Sequence, residues 1–296
     1  MSNSNPKRSA MRGWRPAAIL ASLTAVALLA GCSIGSGPGS DDDAGNGASN
    51  SSGSTWEDIE ERGVINIGVG LTTPPFGLTK KSGDPAGFDI DVAKELADFL
   101  GVKANIFEVT ADGRIPSIQS GKADVISFTL TNTPERREQV DFSDPVINTY
   151  QGVAVAESSD ITSVDDLSGK TISVQKGALG ATVAAKAFPD ATLQQYDTAV
   201  ATRLAVAQGQ ADAIVDSISV LSYALAKEDS SLRIVPGVVG DELQDFALGM
   251  QKGNSSLKAK VDAFLEEFHA SGKGKELYEK WFGGSAPDEV FNGLED

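Results

Sequence analysis

The sequence predicts an α/β protein of two lobes, each a mostly parallel sheet flanked by helices, and three observations predict it. Short β-branched runs alternate with stretches of helical periodicity from Val64 onward, the pattern that builds βαβ units. The grammar then repeats. Ile118–Thr129 (IQSGKADVISFT) aligns without a gap with Val206–Ser217 (VAQGQADAIVDS), each a helix end, a Gly-x-Ala-Asp and a buried strand. Third, the folded part runs from Trp56 to Gly293, enough for one large lobe or two small ones.

The chain opens on a basic segment (Lys7, Arg8, Arg12, Arg15) followed by an apolar run, Ala17 to Ala30. That run is too short for a spanning helix, which needs about 20 residues, so residues 1–31 read as a secretory leader. Leu29-Ala30-Gly31-Cys32 resembles the lipobox of bacterial lipoproteins, in which the Cys is lipidated. Cys32 is the only cysteine of the chain, so no intramolecular disulfide forms. Residues 32–55 are rich in Gly, Ser, Asn and Asp and read as a tether spanning roughly 25 Å. One acyl chain anchors weakly; the lipoprotein resemblance implies several, palmitate among them.

Val64–Gly70 (VINIGVG) predicts a strand. FDIDVAKELADFLG has its apolar residues on one face and Gly101 as a stop, and predicts a helix. Asp89 within it reads as a structural helix cap. KANIFEV predicts a strand, RIPSIQSG a short helix ended by Gly121, and DVISFTL a buried strand. His269, the only histidine, falls near the end of an apolar-periodic helix and reads as a surface or cap residue.

Ligands of open α/β sheets bind beyond the carboxyl ends of the strands. Those ends are Ser127–Thr131 in the first repeat and Val215–Ser217 in the second. After the first, Thr133-Pro134 reads as a helix start, yet Arg136 and Arg137 follow in the first turn, where the helix dipole disfavours cations. A ligand anion between dipole and guanidinium resolves the conflict, so Arg136 is assigned to a carboxylate clamp with the threonines before it. Arg137 reads as a surface residue. Asp216 supplies the opposite charge, and the pair suits a zwitterion.

These segments, with GVINIGVG…PPFG, GFDIDVAKELADFLG, DLSGKTISVQKG and GKGKELYEKWFGG, resemble in order the family 3 solute-binding proteins of bacterial ABC transporters, over Gly63 to Gly284. The resemblance implies a type II periplasmic-binding-protein-like fold whose lobes, joined by two crossovers, close over a ligand by hinge motion. The expected boundaries are lobe 1 at 56–145, hinge at 146–150, lobe 2 at 151–243 and a return to lobe 1 at 244–290. It implies that Arg136, Thr131 and Thr129 hold a ligand α-carboxylate and Asp216 the α-ammonium. Many relatives carry an Asp and an aromatic where this chain has Gly70 and Thr73, and paired hydroxyls where it has Ala178 and Leu179. Arg114 is either a surface arginine or, as in similar binders of aspartate and glutamate, the partner of a side-chain carboxylate. Lys176 is a second cation or a solvated lysine. Phe76 and Phe128 line the pocket or belong to the core.

The implied function is capture of an amino acid, polar or acidic, on the extracytoplasmic face of the cell membrane and delivery to an ABC permease by a lipid-anchored monomer. The alternatives are a dehydratase of cyclohexadienyl substrates on the same fold, or a ligand-loaded sensor for a membrane receptor. No cofactor is expected, and too few His and Cys exist for a nitrogen or sulfur metal site. A formal charge of -16 excludes a phosphate-binding surface for nucleic acid.

Overall fold

The computed structural model describes residues 54–227, 231–240 and 243–294. The leader, Cys32 and almost all of the tether lie outside the described residues. The first element among the described residues is α1 (Trp56–Arg62), whose Thr55 and Asp58 form a reciprocal N-terminal cap, and Gly63 closes it at φ 65°. Next come β1 (Val64–Val69), a small hairpin sheet of β2 (Thr72–Thr73), β3 (Gly77–Thr79) and β4 (Pro85–Ala86), then α2 (Phe88–Leu100), stopped by Gly101. The first lobe continues with β5 (Lys103–Glu108), α3 (Arg114–Gln119), β6 (Val125–Ile126), α4 (Pro134–Arg137) and β7 (Val140–Thr149).

The second lobe holds β8 (Gln151–Ala156), β9 (Thr171–Gln175), α5 (Leu179–Ala187), β10 (Thr192–Tyr196), α6 (Ala199–Ala207), β11 (Ala213–Ser217), α7 (Ile218–Lys227) and β12 (Leu232–Val235). The chain then returns as β13 (Gln244–Gln251), α8 (Ser255–Ala270), α9 (Lys273–Phe282) and α10 (Asp288–Phe291).

Each lobe has one five-stranded sheet, ordered β5-β1-β6-β13-β7 and β10-β9-β11-β8-β12. The repeats supply three parallel strands to each. In each sheet the fourth strand, β13 or β8, runs antiparallel to both its neighbours, and the fifth, β7 or β12, shares the direction of the first three, so both sheets are mixed. In the first lobe this is the work of β13, which inserts between β6 and β7 from the far end of the sequence. Its Gln244 pairs with Thr149 where the two strands leave the lobe together.

Helices cover both faces of each sheet, and strand periodicity sorts side chains between them. Ile65, Ile67 and Val69 enter the large core under α2, α8 and α9. Val153 and Val155 face one core of the second lobe, and Ala154 faces the other. The repeated Asp has one job in both copies. Asp124 accepts the backbone N–H of Asn66 at 2.7 Å and Asp212 that of Thr171 at 2.8 Å, each on a neighbouring strand.

Two residues differ from expectation. His269 is buried, not at the surface: its Nε2 donates to the Pro145 carbonyl at 2.9 Å, tying α8 to β7. Asp89 does not cap its helix. Its carboxylate turns inward and accepts the Thr129 N–H at 3.0 Å. None of the helices among the described residues is long and apolar enough to cross a membrane.

Candidate functional site

The lobes meet in a cleft lined by Thr73, Arg114, Thr129, Thr131 and Phe246 on one side and by Gln151, Gln175, Ala178–Gly180, Asp216 and Ser217 on the other. It encloses about 20 Å³, room for one or two waters, so any larger ligand requires the walls to separate. Four expected residues thus come together: Arg114, Thr129, Thr131 and Asp216.

Arg114 is the cation of the first wall, and it is not a surface residue: it is 3% exposed. Its Nε donates to Ala111 O at 2.7 Å, Nη1 to Phe128 O and Thr129 O at 2.9 Å each, and Nη2 to Gly177 O at 2.9 Å. The guanidinium also lies over the Phe128 ring, 5.1 Å from its centroid. Phe128 is therefore a platform beneath Arg114. Its ring occupies the space of a side chain at position 70, where a Cβ would approach it to 2.1 Å. A side chain at position 70 and the Phe128 ring therefore exclude each other.

Thr129 sits in the left-handed region at φ 34°, a conformation a threonine holds only when its surroundings impose it. They do: Asp89 takes its N–H and Arg114 its carbonyl. Burial pushes the Asp89 carboxyl up to about 7, against the opposing Thr129 hydrogen bond and Arg114 charge. Burial and the charge of Arg136 push Arg114 down to about 9, opposed by Asp89, Asp216 and Asp112.

Arg136 stands in a different place from the one its motif implies. The helix start is as read, with Thr133 Oγ1 accepting the Arg136 N–H at 3.3 Å. But α4 is a single four-residue turn, too short to carry much dipole. The side chain turns away from the cleft into an adjoining groove lined by Ile115, Gln139 and Gly177. There it donates to Thr131 O at 2.9 Å and Gly177 O at 3.0 Å. Two guanidinium groups thus converge on the one carbonyl of Gly177, from the opposite lobe.

On the second wall, Asp216 accepts the N–H of Ser217 at 2.7 Å. Burial pushes its carboxyl up to about 6, against that hydrogen bond and the charges of Arg203 and Arg114. Lys176 does not line the cleft. It pairs with Asp112 across the lobe junction at 2.7 Å, which raises the lysine and lowers the carboxyl. Phe76 is core, packed edge-on against Phe88, Phe246 and Phe282. Sequence reasoning missed Gln151, Gln175 and Ser217 as cleft residues, because polar side chains on buried strands carry no local signal.

Gly177 is a close approach between the lobes. It has φ 76°, and a Cβ there would lie 2.6 Å from the Asp112 backbone. Gly177→Ala is expected to hold the lobes apart and weaken ligand binding roughly tenfold or more, from left-handed strain plus the contact. Small-angle scattering at saturating ligand checks it; curves superposable on wild type would refute it.

A two-lobed α/β protein with opposite charges on facing cleft walls has the architecture of a type II periplasmic binding protein. The comparisons give the particular kind. The model for bacterial extracellular solute-binding proteins, family 3, matches residues 65–284, and the chain belongs to that family. It is 34% identical over 267 residues to the ABC transporter glutamine-binding protein GlnH of Bacillus subtilis (strain 168), covering 88% of this chain and 94% of the relative. It is 29% identical over 233 residues to the L-arginine-binding protein of Pseudomonas aeruginosa, covering 74% and 87%. Among solved structures, the solute receptor for L-cysteine of Neisseria gonorrhoeae superposes with a TM-score of 0.75 at 33% identity, covering 80% of this chain and 99% of that one. An ancestral amino acid-binding protein described as a precursor of cyclohexadienyl dehydratase gives 0.72 at 33% identity, covering 77% and 100%. The relatives are amino-acid-binding proteins of the kind that serve ABC importers.

Proposed function

We propose that this protein captures a polar or acidic amino acid in the interlobe cleft and delivers it to an ABC permease. In this reading it acts as a monomer at the extracytoplasmic face of the membrane, anchored through lipidated Cys32 and the tether behind it. The lobes, 56–145 with 244–290 and 151–243, close about the paired crossovers near 146–151 and 243–246. One observation carries the reading: Arg114 and Arg136 repel each other while sharing the neutral Gly177 carbonyl, and Asp216 lines the cleft with Arg114. A ligand carboxylate entering between the lobes takes the place of that carbonyl, relieves the repulsion and leaves its ammonium toward Asp216. Thr129 and Thr131 complete the carboxylate wall.

Arg136→Ala tests it. Loss of one partner of a desolvated charge pair costs about 2–5 kcal/mol, and titration calorimetry with the tightest-binding amino acid should show a loss of that order. An affinity within twofold of wild type would remove Arg136 from the site.

A further inference from the structure

Among the described residues, few buried side-chain polar atoms lack a hydrogen-bond partner, and three of them line the cleft: Thr73 Oγ1, Gln151 Oε1 and Ser217 Oγ. These residues are 3%, 2% and 2% exposed, and they come from both lobes. Gln151 and Ser217 are register partners on adjacent strands, so their side chains share one face of the sheet. The amide nitrogen of Gln151 is already engaged, donating to Gln244 Oε1 at 3.2 Å. That bond fixes the amide and presents Oε1 to the cleft, close to Gly180, where a Cβ would lie 3.3 Å from it.

A buried acceptor without a donor is a standing cost that native folds keep only for a reason. The hydroxyls of Thr73 and Ser217 rotate to donate or accept. Gln151 Oε1 can only accept, so it sets the chemistry of the cluster. Arg114 sets a complementary limit. Of its five N–H groups four are committed to backbone carbonyls, so it cannot grip a side-chain carboxylate with two parallel bonds unless it releases one.

We infer that Gln151, flanked by Thr73 and Ser217, is a ligand-recognition residue that accepts a hydrogen bond from a ligand N–H. This deepens the amino-acid reading and rests on it. The N–H has two possible sources, the α-ammonium or a side-chain amide, and the experiment separates them.

Calorimetry would compare wild type, Gln151→Leu and Gln151→Glu against glutamine, glutamate, alanine and the carboxylate-free amine putrescine, alongside ligand-free melting curves. For ligands that bind wild type, Gln151→Leu is expected to weaken binding about 5- to 100-fold, the loss typical of an unmet buried hydrogen bond. Gln151→Glu, which keeps an acceptor, retains binding of the N–H ligand. Ligand-free Gln151→Leu should melt close to wild type, because removing the unsatisfied Oε1 offsets loss of the half-buried bond to Gln244. Equal losses for glutamine and alanine identify the ammonium; a loss confined to glutamine identifies the amide. Affinity within twofold of wild type for every bound ligand, with a lowered melting temperature, would make Gln151 a strut for Gln244 and overturn the inference. Wild type that binds putrescine but no amino acid would sink the amino-acid reading instead, and the same comparison of variants on putrescine would still decide the role of Gln151.

Discussion

Arg114→Met is expected to destabilise the protein by about 3–5 kcal/mol, the scale for removing one member of a buried, hydrogen-bonded ionic network. Three backbone carbonyls, those of Ala111, Phe128 and Thr129, lose the guanidinium donor at once, and Gly177 keeps only Arg136. Asp89 and Asp216 also lose a favourable charge, which drives both further toward the protonated form. Met fills the volume but satisfies none of this. For a domain of this size the melting temperature should fall by roughly 10 °C. Arg114→Lys should recover only part of the loss, because an ammonium lacks the planar fork that reaches carbonyls on three sides. Urea denaturation of both variants settles the point. A Met variant as stable as wild type would mean that the carbonyls find other donors and that Arg114 is held for the ligand alone.

Asp216→Asn is expected to cost a comparable 2–5 kcal/mol in binding, roughly 30- to 5000-fold, and to alter the pH dependence in a set direction. Without ligand the Asp216 carboxyl titrates near 6 because it is buried. A ligand ammonium requires the charged form, so binding below that pH must expel a proton. Through this group, wild-type affinity should therefore fall by up to tenfold per unit as pH drops below about 6. Asn carries no such proton, and its weaker binding should lose that slope. Titration calorimetry at pH 5, 6 and 8 checks both. A wild-type affinity that is level across this range would place the ammonium away from Asp216.

Much of this was legible beforehand, and the reasons differ by element. The strands and helices of the repeats announce themselves through local periodicity and through stops such as Gly101. Thr133 caps its turn because capping is a matter of three residues. The opposite charges were also legible as a type of site. Which arginine fills which place was not. Arg114 reaches the cleft because α3 packs beneath a sheet completed by β13 from more than a hundred residues away. Arg136 is turned aside by carbonyls of Thr131 and of the other lobe. The same distance effect hid the mixed character of the sheets, the burial of His269 against β7 and the inward turn of Asp89. Each depends on what a remote segment offers as a partner.

The position of β13 also sets an order of assembly. All five strands of the second sheet come from one unbroken run between Gln151 and Val235. As a growing chain lengthens, that sheet can close as soon as its own residues exist. The first sheet cannot. Most of its strands are made earlier, yet β6 and β7 stay unjoined, with open edges that invite wrong pairing, until Gln251 has been added. The half of the molecule that is made first is therefore the half that is finished last.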